Sequence, residues 1–352
     1  MTASAPSFEF GIDTFGDVTR DAAGASRSQA QVLRDVVEEA VIAEQAGIDC
    51  FGVGEHHRPD FSISAPEVIL AAIAGRTSRM WLGSAVTVLS TDDPVRVYQR
   101  FSTLNAVSNG RAEVILGRGS FTESYPLFGY DMALYEQLFE EKLELFASLL
   151  KGGPVTWSGS TRSPIENQIV YPPIETGSLR TWVGVGGSPE SVIRAARYGL
   201  PLTLAIIGGN PQRFRPYVDL YHEALGKFGF KPQPIAVHSP GHVADTDQAA
   251  KDQLWPHYEA MMNRIGRERG WPPTSRAHFE QEAGPNGALC VGSAETVAAK
   301  IIKTVRALGL ARFDLKYANG TMPHDLLKVS IELIGTKVAP RVREALEHAE
   351  TR

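Results

Sequence analysis

The sequence predicts an α/β protein with a single (β/α)8 barrel of the TIM type and insertions after the fourth and seventh strands. Short apolar runs alternate with helical patterns along the 352 residues, and eight such runs can be counted. Parallel strands need crossover connections of this kind, and eight units close readily into a barrel. No linker, charge block or low-complexity tract divides the chain, so we expect one domain over residues 1–352. The same alternation also allows an open, doubly wound sheet.

The first four units are predicted from local patterns. Their strands are expected at residues 8–12, 50–54, 82–89 and 112–116, and their helices at residues 32–41, 66–77, 94–109 and 135–150. The first helix has apolar residues at i, i+3 and i+4, which is typical of one buried face. Asp93 and Pro94 are favoured residues at a helix start, and Gly110 is a favoured residue after a helix end.

The last four units follow the same pattern. Their strands are expected at residues 181–185, 200–207, 235–243 and 312–317, and their helices at residues 189–198, 248–265, 294–308 and 324–347. Two stretches, 152–179 and 266–289, are longer than ordinary loops. Long loops in compact domains are often lids or binding loops, so we expect that role for both.

The composition argues against several classes of protein. Lys and Arg number 35 against 40 Asp and Glu, a net charge of −5, which gives no basic surface for nucleic acid or an anionic membrane. No apolar run is long enough to span a bilayer. The first residues lack the features of a signal peptide, and Cys50 and Cys290 are too few for a disulfide framework or a cysteine-rich metal site. We therefore expect a cytoplasmic enzyme.

Glu55, His56 and His57 follow the second strand, at the end of the barrel where reactive residues gather. A carboxylate beside two imidazoles can relay protons or contribute to a metal site. Adjacent residues rarely face one ion, so we predict no metal here. Four other histidines lie in no recognisable ligand spacing: His222, His238, His242 and His257. A loop whose histidines only satisfy backbone groups is the alternative.

The ends of the third and fourth strands carry small residues. Those at 84–87 would let a flat ligand approach the backbone, although tight packing explains them equally well. Gly117 and Gly119 flank Arg118, an arrangement that suits a cation near a phosphate or carbonyl, or a plain structural turn. Phe10, Phe51 and Phe121 lie near strand ends, so we expect an apolar pocket.

Gly186 and Gly187 connect the fifth strand to a helix that Ser188 is expected to cap. Exposed amides at a helix start bind anions, and the hydroxyls of Ser188 and Ser191 add donors. No acidic residue follows at the distance that a dinucleotide site needs, so a mononucleotide phosphate fits better than NAD. A similar cap at 292–296 competes for the same role, and a plain capped helix is a further alternative.

Five segments in chain order resemble the bacterial luciferase-like monooxygenases, which are flavin-dependent barrel enzymes. They are FGVGEHH (51–57), GSAVTVLSTDDPVR (83–96), GRAEVILGRG (110–119), VGGSPES (185–191) and ARYGLP (196–201). The resemblance implies an oxidoreductase that acts on paired donors and oxygenates a small organic substrate through a flavin hydroperoxide. Reduced FMN would be a cosubstrate delivered by a separate NAD(P)H:flavin reductase. A homodimer or higher homo-oligomer is also implied, since members of the family often associate through the second and third helices.

The resemblance assigns catalytic and ring-binding roles residue by residue. His56 matches the histidine proposed as general base, with Glu55 and His57 beside it. Ala85 and Val86 match the pair whose backbone lies against the isoalloxazine ring, joined in the family by a cis peptide bond. The stretch 266–289 falls where the family has a mobile lid.

The resemblance also assigns the FMN phosphate site. Arg118, preceded by Gly117, matches an arginine near the phosphate, and Ser188 and Ser191 match phosphate-binding hydroxyls. This favours the loop with Gly186 and Gly187 over the cap at 292–296. A further phosphate-binding arginine of the family aligns with Glu136, so another residue must compensate.

Three other functions remain open. The same barrel could bind a deazaflavin and transfer hydride, or could bind flavin without catalysis. A metal hydrolase that uses His56 and His57 is the third alternative.

Overall fold

Eight parallel strands form a closed barrel in the computed structural model, which describes residues 8–21, 23–175 and 177–350. The barrel strands, labelled β1 to β8, are Glu9–Thr14, Cys50–Val53, Trp81–Ser84, Ala112–Gly117, Arg180–Val185, Leu202–Ala205, Ile235–Val243 and Arg312–Lys316. Each strand pairs with the next, and β8 pairs with β1. This closure confirms the predicted barrel and excludes the open sheet. The ends of the predicted domain, at residues 1 and 352, lie outside the described residues.

Helices surround the barrel. They are labelled α1 (Gln29–Gln45), α2 (Pro66–Ala74), α3 (Pro94–Val107), α4 (Ser124–Phe128), α5 (Tyr135–Leu149), α6 (Pro189–Arg197), α7 (Arg215–Lys227), α8 (Asp247–Arg269), α9 (Arg276–Ala283), α10 (Ala294–Leu308), α11 (His324–Leu333) and α12 (Ala339–Glu350). The predicted caps are present, since Asp93 accepts hydrogen bonds at the start of α3 and Ser188 does so at the start of α6. Within the described ranges, no helix combines the length and apolar character that a bilayer crossing requires.

The predicted third strand is divided. β3 ends at Ser84, and Thr87–Val88 forms a separate short strand that pairs with β4. Between them the amide of Ala85 donates to Val53, and the carbonyl of Val86 accepts from Glu55. At Ala85 and Val86 the backbone forms hydrogen bonds with the end of β2 instead of continuing the ladder with β4. A local sequence pattern does not predict this change of partner.

Three helical regions differ from the expectation. α7 was not predicted, because its buried stripe is narrow and lies among charged residues: Val218, Tyr221, Ala224 and Leu225. The predicted closing helix is interrupted by a π-helical turn at Ile334–Val338, between α11 and α12. The stretch 266–289 contains the end of α8 and all of α9, so about half of it is helical.

The long stretch 152–179 also contains regular structure. Val155–Trp157 and Ile165–Gln168 form an antiparallel hairpin. The Trp157 indole donates a hydrogen bond of 3.2 Å to Glu144 on α5. The hairpin is therefore held against a barrel helix.

The inside of the barrel contains charged side chains where apolar layers are usual. Arg312, Asp314 and Lys316 alternate along β8 and are all buried, as period-two spacing allows. Arg312 pairs with the buried Glu113 of β4 and bonds to Asp314 at 2.8 and 2.9 Å. These ion pairs let the three charged side chains lie inside the barrel, where all three line the cavity at the carboxyl ends of the strands.

Candidate active site

A cavity of about 440 Å³ lies at the carboxyl ends of the barrel strands. Much of its wall is apolar, as expected, and includes Phe15, Phe61, Phe121, Met261, Met262 and Trp271. Phe10 and Phe51 were wrongly expected near the pocket. Both are fully buried in the core and do not line the cavity.

Most of the predicted site residues share this cavity. Those that line it are Glu55, His56, Ala85, Val86, Gly117, Arg118 and Gly186. Four do not line it: His57, Gly187, Ser188 and Ser191. Ser191 still reaches the site through a hydrogen bond from Arg118.

His56 lies within a shell of aromatic rings. Its ring centroid is 4.6 Å from that of Phe61, 4.7 Å from that of Phe15 and 5.2 Å from that of Phe121. Burial, aided by the positive charges of Lys316 and Arg58, lowers the pKa of His56 to about 3. The imidazole is therefore neutral at pH 7.

Glu55 positions its neighbour His57 and the segment after β3. One carboxylate oxygen accepts a 2.8 Å hydrogen bond from the amide of Val88, and the other lies 2.8 Å from Nε2 of His57. The His57 ring packs edge-on against Phe128, 4.9 Å away, outside the cavity wall. Glu55 therefore orients His57 and not His56.

The peptide bond between Ala85 and Val86 is cis, as the resemblance implied. Both residues are partly exposed in the cavity wall. A Cβ atom added at Gly117 would lie 2.5 Å from a methyl of Val86, and one added at Gly184 would lie 3.1 Å from the other methyl. These two glycines therefore leave the space that the Val86 side chain fills.

Arg118 connects the cavity to the start of α6. Its guanidinium donates a 2.9 Å hydrogen bond to the Ser191 hydroxyl and pairs with Glu136. The Ser188 hydroxyl donates to Ser191 at 2.9 Å and accepts from the Ser191 amide at 3.3 Å. Glu136 also accepts a 2.7 Å hydrogen bond from Arg194, one turn along α6.

Arg194 has a donor that no neighbour satisfies. The side chain is 9% exposed, and its buried Nη1 has no hydrogen-bond partner. An unpaired buried donor of a charged group is costly, and an anion beside it would remove that cost. Arg194, Arg118 and the two serines thus fit a phosphate group. Sequence analysis missed Arg194, although its spacing of three residues from Ser191 places both on one helix face.

The competing cap at 292–296 is already occupied by a carboxylate. Asp247 accepts a 2.7 Å hydrogen bond from the Ser293 amide and a 2.9 Å hydrogen bond from the Thr296 hydroxyl. Because an internal acid satisfies these donors, the loop before α6 is the better anion site.

The end of α8 covers the mouth of the cavity. Arg58, after β2, makes a two-point ion pair with Glu268 at 2.6 and 2.8 Å. Arg269 donates a 2.8 Å hydrogen bond to the carbonyl of Ser120, after β4, and Trp271 lines the cavity. The helix end therefore joins two loops across the opening. Of the residues between 152 and 179 that the structure describes, none appears in the cavity wall.

A second histidine lines the cavity with a carboxylate partner. Nδ1 of His238 on β7 lies 2.8 Å from Oδ2 of Asp13 on β1. Sequence analysis considered His238 only as a possible metal ligand and overlooked Asp13. The pairing joins residues 225 positions apart, so no local signal identifies it.

Potential metal ligands converge elsewhere. Among the described residues, only Asp35, Glu38 and His324 bring three ligand atoms together, and none of them lines the cavity. His56 and His57 are not among these three residues.

Comparison with known proteins identifies one family. The family model described as luciferase-like monooxygenase matches residues 13–312. The alkanal monooxygenase alpha chain of Photorhabdus laumondii is 29% identical in an alignment of 357 positions, which covers 90% of this chain and 94% of the relative.

Solved structures share the fold. Monooxygenase RslO1 from Streptomyces bottropensis superposes with a TM-score of 0.81 at 23% identity, covering 94% of this chain and 99% of that one. A TM-score of 0.75 at 20% identity is found for the oxygenating constituent of 3,6-diketocamphane monooxygenase from Pseudomonas putida, in complex with FMN. The match covers 96% of this chain and 99% of that one. An F420-dependent secondary alcohol dehydrogenase superposes with a TM-score of 0.73 at 18% identity, and the match covers 96% of this chain and 99% of that one. At these identities the likeness concerns the fold alone.

Proposed function

This chain belongs to the luciferase-like monooxygenase family, and from that membership we propose that it oxygenates a small organic substrate with dioxygen and reduced FMN. When bound, reduced FMN supplies the electrons that activate dioxygen. The observation that carries the proposal is the unpaired donor of the buried Arg194 on α6. Arg194 shares Glu136 with Arg118, which lines the cavity that contains His56.

The chain's own residues account for the cofactor contacts. Arg118, Arg194, Ser188 and Ser191 would hold the phosphate. Glu136 is 62% exposed, so its carboxylate can turn toward water when a phosphate replaces it between the two arginines. The exposed edge formed by Ala85 and Val86 would support the flat ring system. Gly117 and Gly186 line the same wall, and Gly186 leaves room nearby because nothing lies within 4 Å of a Cβ atom added there.

Two further tasks fall to residues around the cavity. His56 would accept and pass on the proton of the reacting oxygen, because its neutral imidazole has a free lone pair. The α8 end, held by Arg58 and Glu268, would exclude water, which otherwise destroys reactive oxygen species before they reach substrate. Glu55 and His57 would position the backbone beneath the ring.

The proposed partners are dioxygen, an apolar organic substrate and a separate NAD(P)H:flavin reductase, in the cytoplasm. A homodimer through α2 and α3 is part of the proposal. Val68 on α2 and Val107 on α3 are 67% and 61% exposed, so each helix has an apolar side chain available for a second copy.

The test combines flavin binding with oxygen uptake. Reduced FMN and a reduced deazaflavin are titrated into the protein without oxygen, and oxygen uptake is then measured against a panel of small organic compounds. We expect tighter binding of FMN and uptake with at least one compound. His56→Asn should abolish turnover with FMN affinity nearly unchanged, whereas His278→Asn, an exposed histidine on α9, should behave as wild type.

Two results would overturn the proposal. One is a protein that binds neither redox form of FMN. The other is preferential binding of the deazaflavin together with hydride transfer and no oxygen uptake, which would assign the chain to the alternative chemistry.

A further inference from the structure

His238 and Asp13 form a buried pair to which the proposed function gives no role. They lie on β7 and β1, on either side of β8, and their side chains meet inside the barrel. Asp13 is 1% exposed, whereas the His238 side chain is 14% exposed, and both line the cavity. The histidine therefore faces the space where a substrate would lie.

The hydrogen bonding of the pair leaves one nitrogen for a ligand. Nδ1 of His238 is bonded to Asp13, so Nε2 is the ring atom left to contact a substrate. The other carboxylate oxygen of Asp13 is buried without a hydrogen-bond partner. Among the described side chains, His238 is thus the only hydrogen-bond partner of this carboxylate.

The two cavity histidines differ in basicity. Burial alone would lower the pKa of His238, but the charge of Asp13 and its hydrogen bond raise it above the ordinary value. Lys316 opposes this effect and Asp314 supports it, both from β8. His56 lacks a carboxylate at hydrogen-bond distance, since the nearest, Glu123, is 4.0 Å away. His238 is therefore the stronger base of the two.

The surroundings of His238 indicate what it would meet. The ring lies nearly parallel to that of Phe15, at 6.1 Å and 11°. The ammonium group of Lys316 lies over the same Phe15 ring, with its Nζ 4.6 Å from the ring centroid. Tyr258, Met261 and Met262 of α8 line the same cavity. Such a wall suits an aromatic or other flat apolar compound with one polar group directed at His238.

We propose that His238, supported by Asp13, removes the proton of an acidic hydroxyl of the substrate, a phenol or an enol, and holds the resulting oxyanion. The substrate O–H bond breaks as an N–H bond forms at Nε2, and the imidazolium is stabilised by the Asp13 carboxylate. No electrons are exchanged in this step. The proton transfer itself does not depend on the proposed function, and the inference rests on that function only for the oxygenation that follows. In that reaction an electron-rich oxyanion reacts more readily with an electrophilic oxygen donor.

The test uses 4-nitrophenol as the probe, because its ionised form absorbs visible light and its neutral form does not. The probe is added to flavin-free protein at a pH near its own pKa. We expect the bound probe to favour the ionised form about tenfold more than the free probe does. His238→Gln should abolish this preference, and Asp13→Asn should reduce it severalfold with the imidazole retained.

Two controls separate this role from general binding or misfolding. His222→Gln changes an exposed histidine on α7 and should leave the ionisation unchanged. 4-Nitroanisole has the same shape without an acidic proton, so wild type and His238→Gln should bind it with similar affinity. Circular dichroism checks that each variant is folded.

The inference is wrong if wild type does not bind the probe, binds it without enhanced ionisation, or if folded His238→Gln ionises it as wild type does. Retained ionisation in Asp13→Asn would limit the role to His238 and overturn the paired mechanism. Because no flavin is present, these outcomes do not depend on whether FMN binds.

Discussion

Arg194 donates a 2.7 Å hydrogen bond to Glu136, the residue that stands where a phosphate-binding arginine of the family would be expected. In the proposed function, Arg194 on the neighbouring helix α6 would therefore supply the positive charge missing at position 136. Arg118 contacts the same carboxylate, so Glu136 lies between the two arginines where the phosphate is proposed to bind.

Replacing Arg194 should weaken phosphate binding specifically. A hydrogen bond to a charged group contributes about 1.5–3 kcal/mol, so Arg194→Gln should raise the Kd for FMN at least tenfold. The Kd for riboflavin, which lacks the phosphate, should change little. Fluorescence titration with both flavins measures the difference. Arg197→Gln is the matched control, because Arg197 also pairs with Glu140 but is 50% exposed. Equal losses for both flavins would contradict a phosphate role.

Gly117→Ala should be destabilising because of Val86. The added Cβ would lie 2.5 Å from a Val86 methyl, and overpacking of this kind typically costs about 1–3 kcal/mol. Val86→Ala in the same chain should recover most of the loss. Gly186→Ala is the control, since nothing lies within 4 Å of its added Cβ. Urea unfolding of wild type, Gly117→Ala, Val86→Ala and the double variant gives the coupling free energy between the two positions, and additive effects would rule out the contact.

The stability of the protein should fall in mild acid through His56. Its pKa is about 3 when folded against 6.5 ordinarily, so the unfolded chain takes up the proton first as the pH falls. Stability is therefore lost between about pH 6.5 and pH 3. From pH 7 to pH 5 the loss from this residue is about 2 kcal/mol.

The measurement compares urea unfolding of wild type and His56→Gln at both pH values. The variant should lose about 2 kcal/mol less than wild type on acidification, whereas His222→Gln should follow wild type. A variant with the same pH dependence as wild type would show that His56 is protonated normally in the folded protein.

Removing Glu113 should destabilise the barrel strongly. Arg312 is 2% exposed, and among the described residues Asp314 would be its one remaining ion-pair partner. Breaking a buried pair in this way typically costs about 3–5 kcal/mol. Glu113→Gln should therefore lower the free energy of unfolding by several kcal/mol. Asp219→Asn, which affects the exposed pair with Arg215, should have little effect. A small change in Glu113→Gln would mean that water reaches Arg312.

Much of the fold could be predicted because its signals are local. Asp93 and Ser188 were predicted as caps and are caps, and β7 has the predicted bounds of residues 235–243. The carboxyl ends of parallel strands meet at one end of a barrel. The sequence positions of Glu55, Val86 and Arg118 therefore already implied that they would share a cavity.

The sequence by itself determined the order of strands and helices, the caps and the family motifs, since each depends on residues a few positions apart. Only the tertiary structure decided that Glu55 bonds to His57, that Asp247 occupies the second cap, and that Asp13 supports His238. Hydrogen bonds and charges act over a few ångströms, and closure of the barrel brings together side chains far apart along the chain. The protonation of each histidine depends on those neighbours, so it follows from the fold and not from residue type.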